Sequence, residues 1–315
     1  MNTDQDSPGL LAWSLLIILA LIWGTSFILI KKGLLFFSAV ELGAFRIFSA
    51  SIVMLPIAIK KIKGLVPRQI KWLIIAGFSG SFLPALLFAI AQTNLDSSVS
   101  GALNALTPIF ALLLGALLFH QAILKKSLFG ISIGFVGTLI LILTGSGGAL
   151  GELNLHVFYV IAATFCYGLN VNIIKYKLPK IRPFAIASIS IAFMLPISAV
   201  LLFGFTPFYQ HVQEGDAALV ALGYITLLGV VGTGFALVLF NNLVQLTNPI
   251  FTSTVTYIIP IVALFWGIID GEKLLVGQII GMAAIIIGVF ISNRKTKVHI
   301  GNAQVAVNSP SSKNA

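Results

Sequence analysis

The stretch "LIWGTSFILIKK", residues 21–32, decides how this chain is read. It lies in an apolar run that begins near residue 12, yet Gly24, Thr25 and Ser26 interrupt that run directly behind Trp23. A helix that only anchors a protein in hydrocarbon has no use for an indole and two hydroxyls at mid-depth. The run asks for a membrane, and its interruption asks for a ligand or a partner helix.

The composition answers the first request. Of 315 residues, 58% are hydrophobic and 9% charged, and the mean hydropathy is +1.05. Soluble domains carry about 25% charged residues, so a soluble fold is excluded. The apolar runs are too long for the alternating strands of a barrel, which leaves helices. A chain of this length holds roughly ten spans of about 20 residues with short connections. Runs at 12–31, 40–59, 70–90, 97–119, 127–143, 155–174, 183–203, 217–240, 249–269 and 275–292 are the expected helices. The tail 293–315 is polar and expected to be disordered.

The net charge of +10 does not point to nucleic acid, because the cations sit in alternate gaps between the runs. Lys60, Lys61, Lys63, Arg68 and Lys71 follow helix two, Lys125 and Lys126 helix four, and Lys175, Lys177, Lys180 and Arg182 helix six. Arg294, Lys295 and Lys297 open the tail. The other gaps hold Asp96, Glu152, Glu214, Asp216, Asp270 and Glu272, with Lys273 their only cation. By the positive-inside rule both termini are expected in the cytoplasm, in a bacterial-type cell membrane. Lys31 and Lys32 are the exception, falling on the outer side. The start, "MNTDQDSPG", lacks the basic residues of a signal peptide, so the first run is expected to stay. Cys166, the one cysteine, has no partner for a disulfide.

An internal repeat accounts for the interruption. "MLPI" occurs at 54–57 and again at 194–197. Pro108 and Pro260, Gly130 and Gly281, and Gly137 and Gly288 recur at offsets of 151–152, and Trp23-Gly24 is echoed by Tyr167-Gly168 at 144. A repeat of five helices enters the membrane the second time from the opposite side. Such inverted repeats characterise secondary transporters that bind solute near the midplane. The expected fold is therefore an all-α membrane protein of ten transmembrane helices in two inverted five-helix repeats around a central cavity. Its expected layout is a cytoplasmic N-terminus 1–11, repeats 12–143 and 155–292, and a linker 144–154.

These features together resemble the EamA family of the drug/metabolite transporter superfamily. The matching residues are "WGTSF", Arg46 in "ELGAFRIF", "LTPIFALLLGALLF", "GISIGFVG", "CYGLN", "YIIPIVALFWGIIDGEKL" and "GQIIGMAAIIIG", covering roughly 12–292. The resemblance implies ten helices in two inverted repeats and transport of amino acids, sugars or other small metabolites. The family's glutamate after helix four is His120 here, whereas the second copy keeps Glu272; Ser190 or a neighbour stands where the second Arg46 would fall.

The candidate substrate-binding residues follow from spacing. Ser100, Asn104 and Pro108 are four residues apart and share one helical face, and the offset of 152 carries them onto Thr252, Thr256 and Pro260. Each stripe ends in a proline, which frees a backbone carbonyl that is tolerated only beside protein or a wet cavity. The competing role for these polar groups is interhelical hydrogen bonding. Trp23 and Ser26 recur as Tyr167 and Asn170, an aromatic with a polar group three residues on, suited to an amphipathic small ligand. Gly24 and Gly168 read as close-packing sites. Arg46, an ionisable group within a span, has two readings: holding a substrate carboxylate or holding a structural carbonyl. The GxxxG runs 130–134 and 277–281 read as tight helix contacts, within the fold or between protomers.

The reading is a secondary transporter of an amino acid or related solute, expected to export it by alternating access, with the lipid bilayer as its other partner. No cofactor, metal site or nucleic acid is expected. No P-loop is present, the four histidines lack metal-ligand spacing, and no span has two close carboxylates, so enzyme chemistry is not expected. A channel or lipid scramblase is the alternative and would need a continuous polar path.

Overall fold

A computed structural model describes residues 9–121, 125–144, 154–246 and 255–293. Among these, every regular element is helical. Seven helices are long and apolar enough to cross a membrane: α1 (Leu10–Gly33), α2 (Ala39–Lys61), α3 (Pro67–Ala91), α4 (Ser97–Phe119), α6 (Val157–Lys177), α7 (Pro183–Phe205) and α8 (Asp216–Phe240). Three shorter apolar stretches, Ser127–Ile140, Ile258–Ile269 and Val276–Ile291, lie in helices α5 (Lys125–Thr144), α9 (Val255–Ile269) and α10 (Val276–Asn293). The expected ninth run begins at 249; its first residues, Thr252 included, lie outside the described residues.

Local chemistry sets the ends of these rods. Ser38 accepts a hydrogen bond from the Glu41 backbone N–H while the Glu41 carboxylate accepts one from the Ser38 N–H, a capping box that starts α2. Prolines interrupt the rods in a regular way. A proline has no N–H for the carbonyl four residues back. Pro84 follows a π-turn at Phe78–Phe82, and Pro108 follows a 3-10 turn at Asn104–Leu106. A second π-turn, Val230–Phe235, widens α8 without a proline.

Glycines decide which rods meet. A methyl on Gly24 would stand 2.7 Å from Val262 Cγ1 in α9, and one on Gly168 would stand 2.7 Å from the Ala111 nitrogen in α4. Those two glycines let α1 lie on α9 and α6 on α4. The glycine runs of α5 and α10 face each other within the chain: Gly137 approaches the Gly281 carbonyl and Gly288 the Gly130 carbonyl, at 2.7 and 2.6 Å from a built methyl. This settles the GxxxG runs as contacts inside the fold, where small residues let backbones approach.

The main core fills the space between α1, α2, α4, α6, α8 and α9, with Leu16, Leu19, Leu42, Leu103, Val160 and Ala263 fully enclosed. Large apolar side chains such as Phe129, Phe135 and Phe205 are exposed instead. An outward apolar girdle of this kind suits hydrocarbon rather than water.

Candidate functional site

The interruptions in α3, α4 and α8 converge on one cavity of about 680 Å³. Two Gly-x-x-Gly-[Ser/Thr] segments, Gly77–Ser81 and Gly229–Thr233, carry the two π-turns toward it. The second turn is pinned by side chains from the other half of the chain. Trp23 Nε1 donates to the Gly232 carbonyl at 3.1 Å, and Arg46 Nε donates to Thr233 Oγ1 at 2.9 Å. A π-turn widens the helix by a residue, which leaves backbone groups for such outside donors.

Eight of the sequence candidates line this cavity: Trp23, Ser26, Arg46, Asn104, Pro108, Tyr167, Asn170 and Thr256. Their side chains are used differently. Trp23 packs on Phe240 with ring centroids 5.3 Å apart, and Tyr167 stacks on Phe88 at 6.1 Å. Ser26 donates to the Ile22 carbonyl of its own helix at 2.9 Å, so its hydroxyl is already engaged. Asn170 lies against Gly80 and its Oδ1 is buried with no hydrogen-bond partner. Ser100 and Pro260 are buried and stand off the cavity lining. The Ser100 hydroxyl has no partner.

Sequence spacing misses Thr107, Gln121, Asn172, Lys175 and Thr233, all in the lining. Asn172 is structural, since its amide donates to the Ala111 and Gly168 carbonyls at 2.8 and 2.9 Å and ties α6 to α4. Thr107 Oγ1 is buried without a partner. Thr233 has a legible signal, the recurrence of Gly-x-x-Gly-[Ser/Thr] at an offset of 152.

One end of the molecule is closed by a polar knot. Lys31 Nζ bonds Asp270 Oδ2 at 2.8 Å and Glu272 Oε1 at 2.9 Å, and Lys32 pairs with Asp270. Glu272 also accepts from the start of α4: the hydroxyls of Ser97 and Ser98 donate at 2.6 Å each, and their backbone N–H groups at 2.9 and 3.2 Å. A carboxylate there complements the free N–H groups and the positive end of the helix dipole. Burial opposes the Glu272 charge, but the bonds from Ser97, Ser98 and Lys31 outweigh it and hold the carboxyl below its ordinary pKa. Asp270 is likewise held low, with Lys31 and Lys32 overcoming desolvation. Asp96 goes the other way, pushed up by burial and then by the charge of Glu272. Trp266 Nε1 donates to Thr25 Oγ1 at 2.9 Å beneath the knot. That bond gives the third polar residue of the opening stretch its partner.

The other end of the cavity reaches Gln121 and Lys175. Phe119 and Tyr176 stack there with centroids 4.5 Å apart, and the Tyr176 hydroxyl donates to Gln121 Oε1 at 3.3 Å.

Two stretches of the chain, residues 10–143 and 154–294, each match the EamA-like transporter family. An "Uncharacterized transporter" of Archaeoglobus fulgidus is 23% identical over 289 residues, covering 90% of this chain and 99% of that protein. An "Uncharacterized transporter in sor 3'region" of Acidianus ambivalens is 24% identical over 223 residues, 70% of this chain and 83% of its own. A solved crystal structure superposes with a TM-score of 0.61 at 14% identity, over 89% of this chain and 96% of that one. It shows a shared fold.

Proposed function

We propose that this chain, which belongs to the EamA-like transporter family, is a secondary carrier that exports a small metabolite, an amino acid or related solute, by alternating access. A membrane transporter follows from the family and the apolar helices. The observation that carries the proposal is the cavity, lined by residues of both halves from Ile30, next to the Lys31 knot, to Lys175. Helices tied together beyond one end of such a cavity suit one state of an alternating-access cycle.

The two family matches support two five-helix repeats of opposite orientation. So do contacts that recur at the offsets of the sequence repeat. Gly232 lies on Ser26 as Gly80 lies on Asn170, and Gly229 lies on the Arg46 backbone as Gly77 lies on that of Ser190. Rocking one repeat against the other about Trp23, Tyr167 and the two π-turns then exposes the cavity to alternate sides. The substrate-binding set of this reading is Trp23, Ser26, Arg46, Asn104, Pro108, Tyr167, Asn170 and Thr256, with Ser100, Thr252 and Pro260 belonging to the same two stripes.

In this reading both termini lie in the cytoplasm of a cell-membrane protein, and the knot faces outward. Lys31 and Lys32, which stand against that orientation in a simple count, are bound to Asp270 and Glu272 as folded ion pairs rather than loose loop cations. Counterflow in proteoliposomes loaded with a panel of amino acids, sugars and nucleosides tests the carrier. Saturable uptake with trans-stimulation is expected. Flux that never saturates and ignores internal solute makes the protein a channel and overturns the reading.

A further inference from the structure

Among the described residues two cations face the cavity, Arg46 and Lys175, and no carboxylate does. The described acids are committed elsewhere. Glu41 is fully enclosed and held by His211 Nδ1 at 2.9 Å and by the Ser38 backbone. Asp270 and Glu272 belong to the knot. Asp96, Glu214 and Asp216 lie at or beside the starts of α4 and α8. Among the described residues, then, nothing of opposite charge reaches Arg46. Its Nε is spent on Thr233, and its two terminal nitrogens take no hydrogen bond or ion pair from the described residues. Tyr167, whose phenol is uncharged at neutral pH, lines the same cavity. Lys175 has no acidic partner either; its ammonium lies 5.1 Å from the neighbouring Tyr176 ring.

A guanidinium kept in a span without a counter-ion is costly unless an anion visits it. The terminal nitrogens left open on Arg46 form the planar fork that fits a carboxylate in two-point fashion. Around that fork the lining is aromatic, with Trp23, Phe27, Phe88, Tyr167 and Phe240. The ammonium of an amino acid would meet two cations and no fixed anion.

Resting on the carrier reading above and narrowing it to the related solutes in place of amino acids themselves, we propose that the solute is a small organic anion: a carboxylate on an aromatic or similarly apolar body, without an ammonium group. Arg46 takes the carboxylate at mid-depth. Lys175 lies eight residues beyond Tyr167 on α6, about 12 Å along a helix, and attracts the anion to the mouth.

Three probes of nearly the same shape separate the charges: 3-phenyllactate (anion), phenylalanine (zwitterion) and phenylalaninol (cation). In counterflow with the full-length protein, labelled 3-phenyllactate is expected to exchange at least tenfold faster than labelled phenylalanine. Arg46→Gln is expected to cut that exchange tenfold or more and Arg46→Lys to restore part of it. Lys175→Gln is expected to raise KM about threefold with kcat kept. Should Arg46→Gln fail to fold, the wild-type melting temperature decides: 3-phenyllactate is expected to raise it and phenylalaninol to leave it unchanged. Phenylalanine exchanging as fast as 3-phenyllactate, or equal thermal shifts for the anion and the cation, overturns the anion assignment and leaves the carrier standing. Absence of exchange for every probe and for the wider panel overturns both.

Discussion

Two corners of the molecule are built from equivalent stretches of sequence and behave differently. Lys31 on α1 and Lys175 on α6 are 144 residues apart, and "IDGE" across the end of α9 corresponds at 152 to "LLFH" across the end of α4. At the first corner Asp270 and Glu272 meet Lys31 and Lys32, and Glu272 caps α4. At the second corner the acids are replaced by Leu118 and His120. The counterpart of Lys32 is Tyr176, which stacks on Phe119, and Lys175 is left at the cavity. An ion pair can be made only where both charges are written into the chain. Without those two acids the second corner lacks the clasp, while the helices around it keep similar packing through Gly24 and Gly168.

Removing the acid from the first corner should have the largest effect. Glu272→Ala leaves the hydroxyls and first N–H groups of Ser97 and Ser98 without their acceptor and Lys31 with Asp270 alone, so a loss of about 3 kcal/mol is expected, read as a fall in melting temperature in detergent. Stability unchanged within error means the clasp contributes nothing. The reciprocal change sharpens the comparison. Leu118→Asp combined with His120→Glu places acids where the second corner lacks them, and Lys175 is expected to pair with them. Counterflow of the transported solute should fall about tenfold, equivalent to roughly 1.4 kcal/mol, with the fold retained. Wild-type flux in that variant breaks the analogy between the corners. The smallest effect is expected for Lys32→Ala, whose side chain is 35% exposed and pairs with an acid that Lys31 also holds. A loss of less than about 1 kcal/mol in thermal denaturation fits a partly solvated pair.

Much of this architecture is legible in the residues. Hydropathy alone places the helices within a few residues, because a span must satisfy its backbone within itself and so shows as an unbroken apolar run. The recurrence of Trp23-Gly24 as Tyr167-Gly168 points to two packing glycines, and both do admit a neighbouring helix. Asn104 and Pro108 are legible as a stripe because helical spacing puts them on one face. Ser100 belongs to that stripe yet is fully buried and lies off the cavity lining, which four-residue spacing alone does not reveal. Lys175 reads as a loop cation, and nothing local to "IIKYK" distinguishes it from Lys177, which lies over the Trp72 ring at 5.4 Å. Glu41 has the pattern of a surface acid at a helix start. It is fully enclosed because His211, 170 residues later, lies against it.

The opening stretch shows where the division falls. By itself the sequence determined that residues 21–32 form a membrane helix whose small and polar residues recur in a second copy. Composition and periodicity act locally and leave their mark in every window of the chain. Only the tertiary structure decided what those residues do. Trp23 holds a π-turn, Thr25 accepts from Trp266, Ser26 bonds its own backbone, and Lys31 and Lys32 close a corner with acids some 240 residues away. Periodicity says which face of a helix a residue occupies. Which neighbour that face meets depends on how all the helices pack at once.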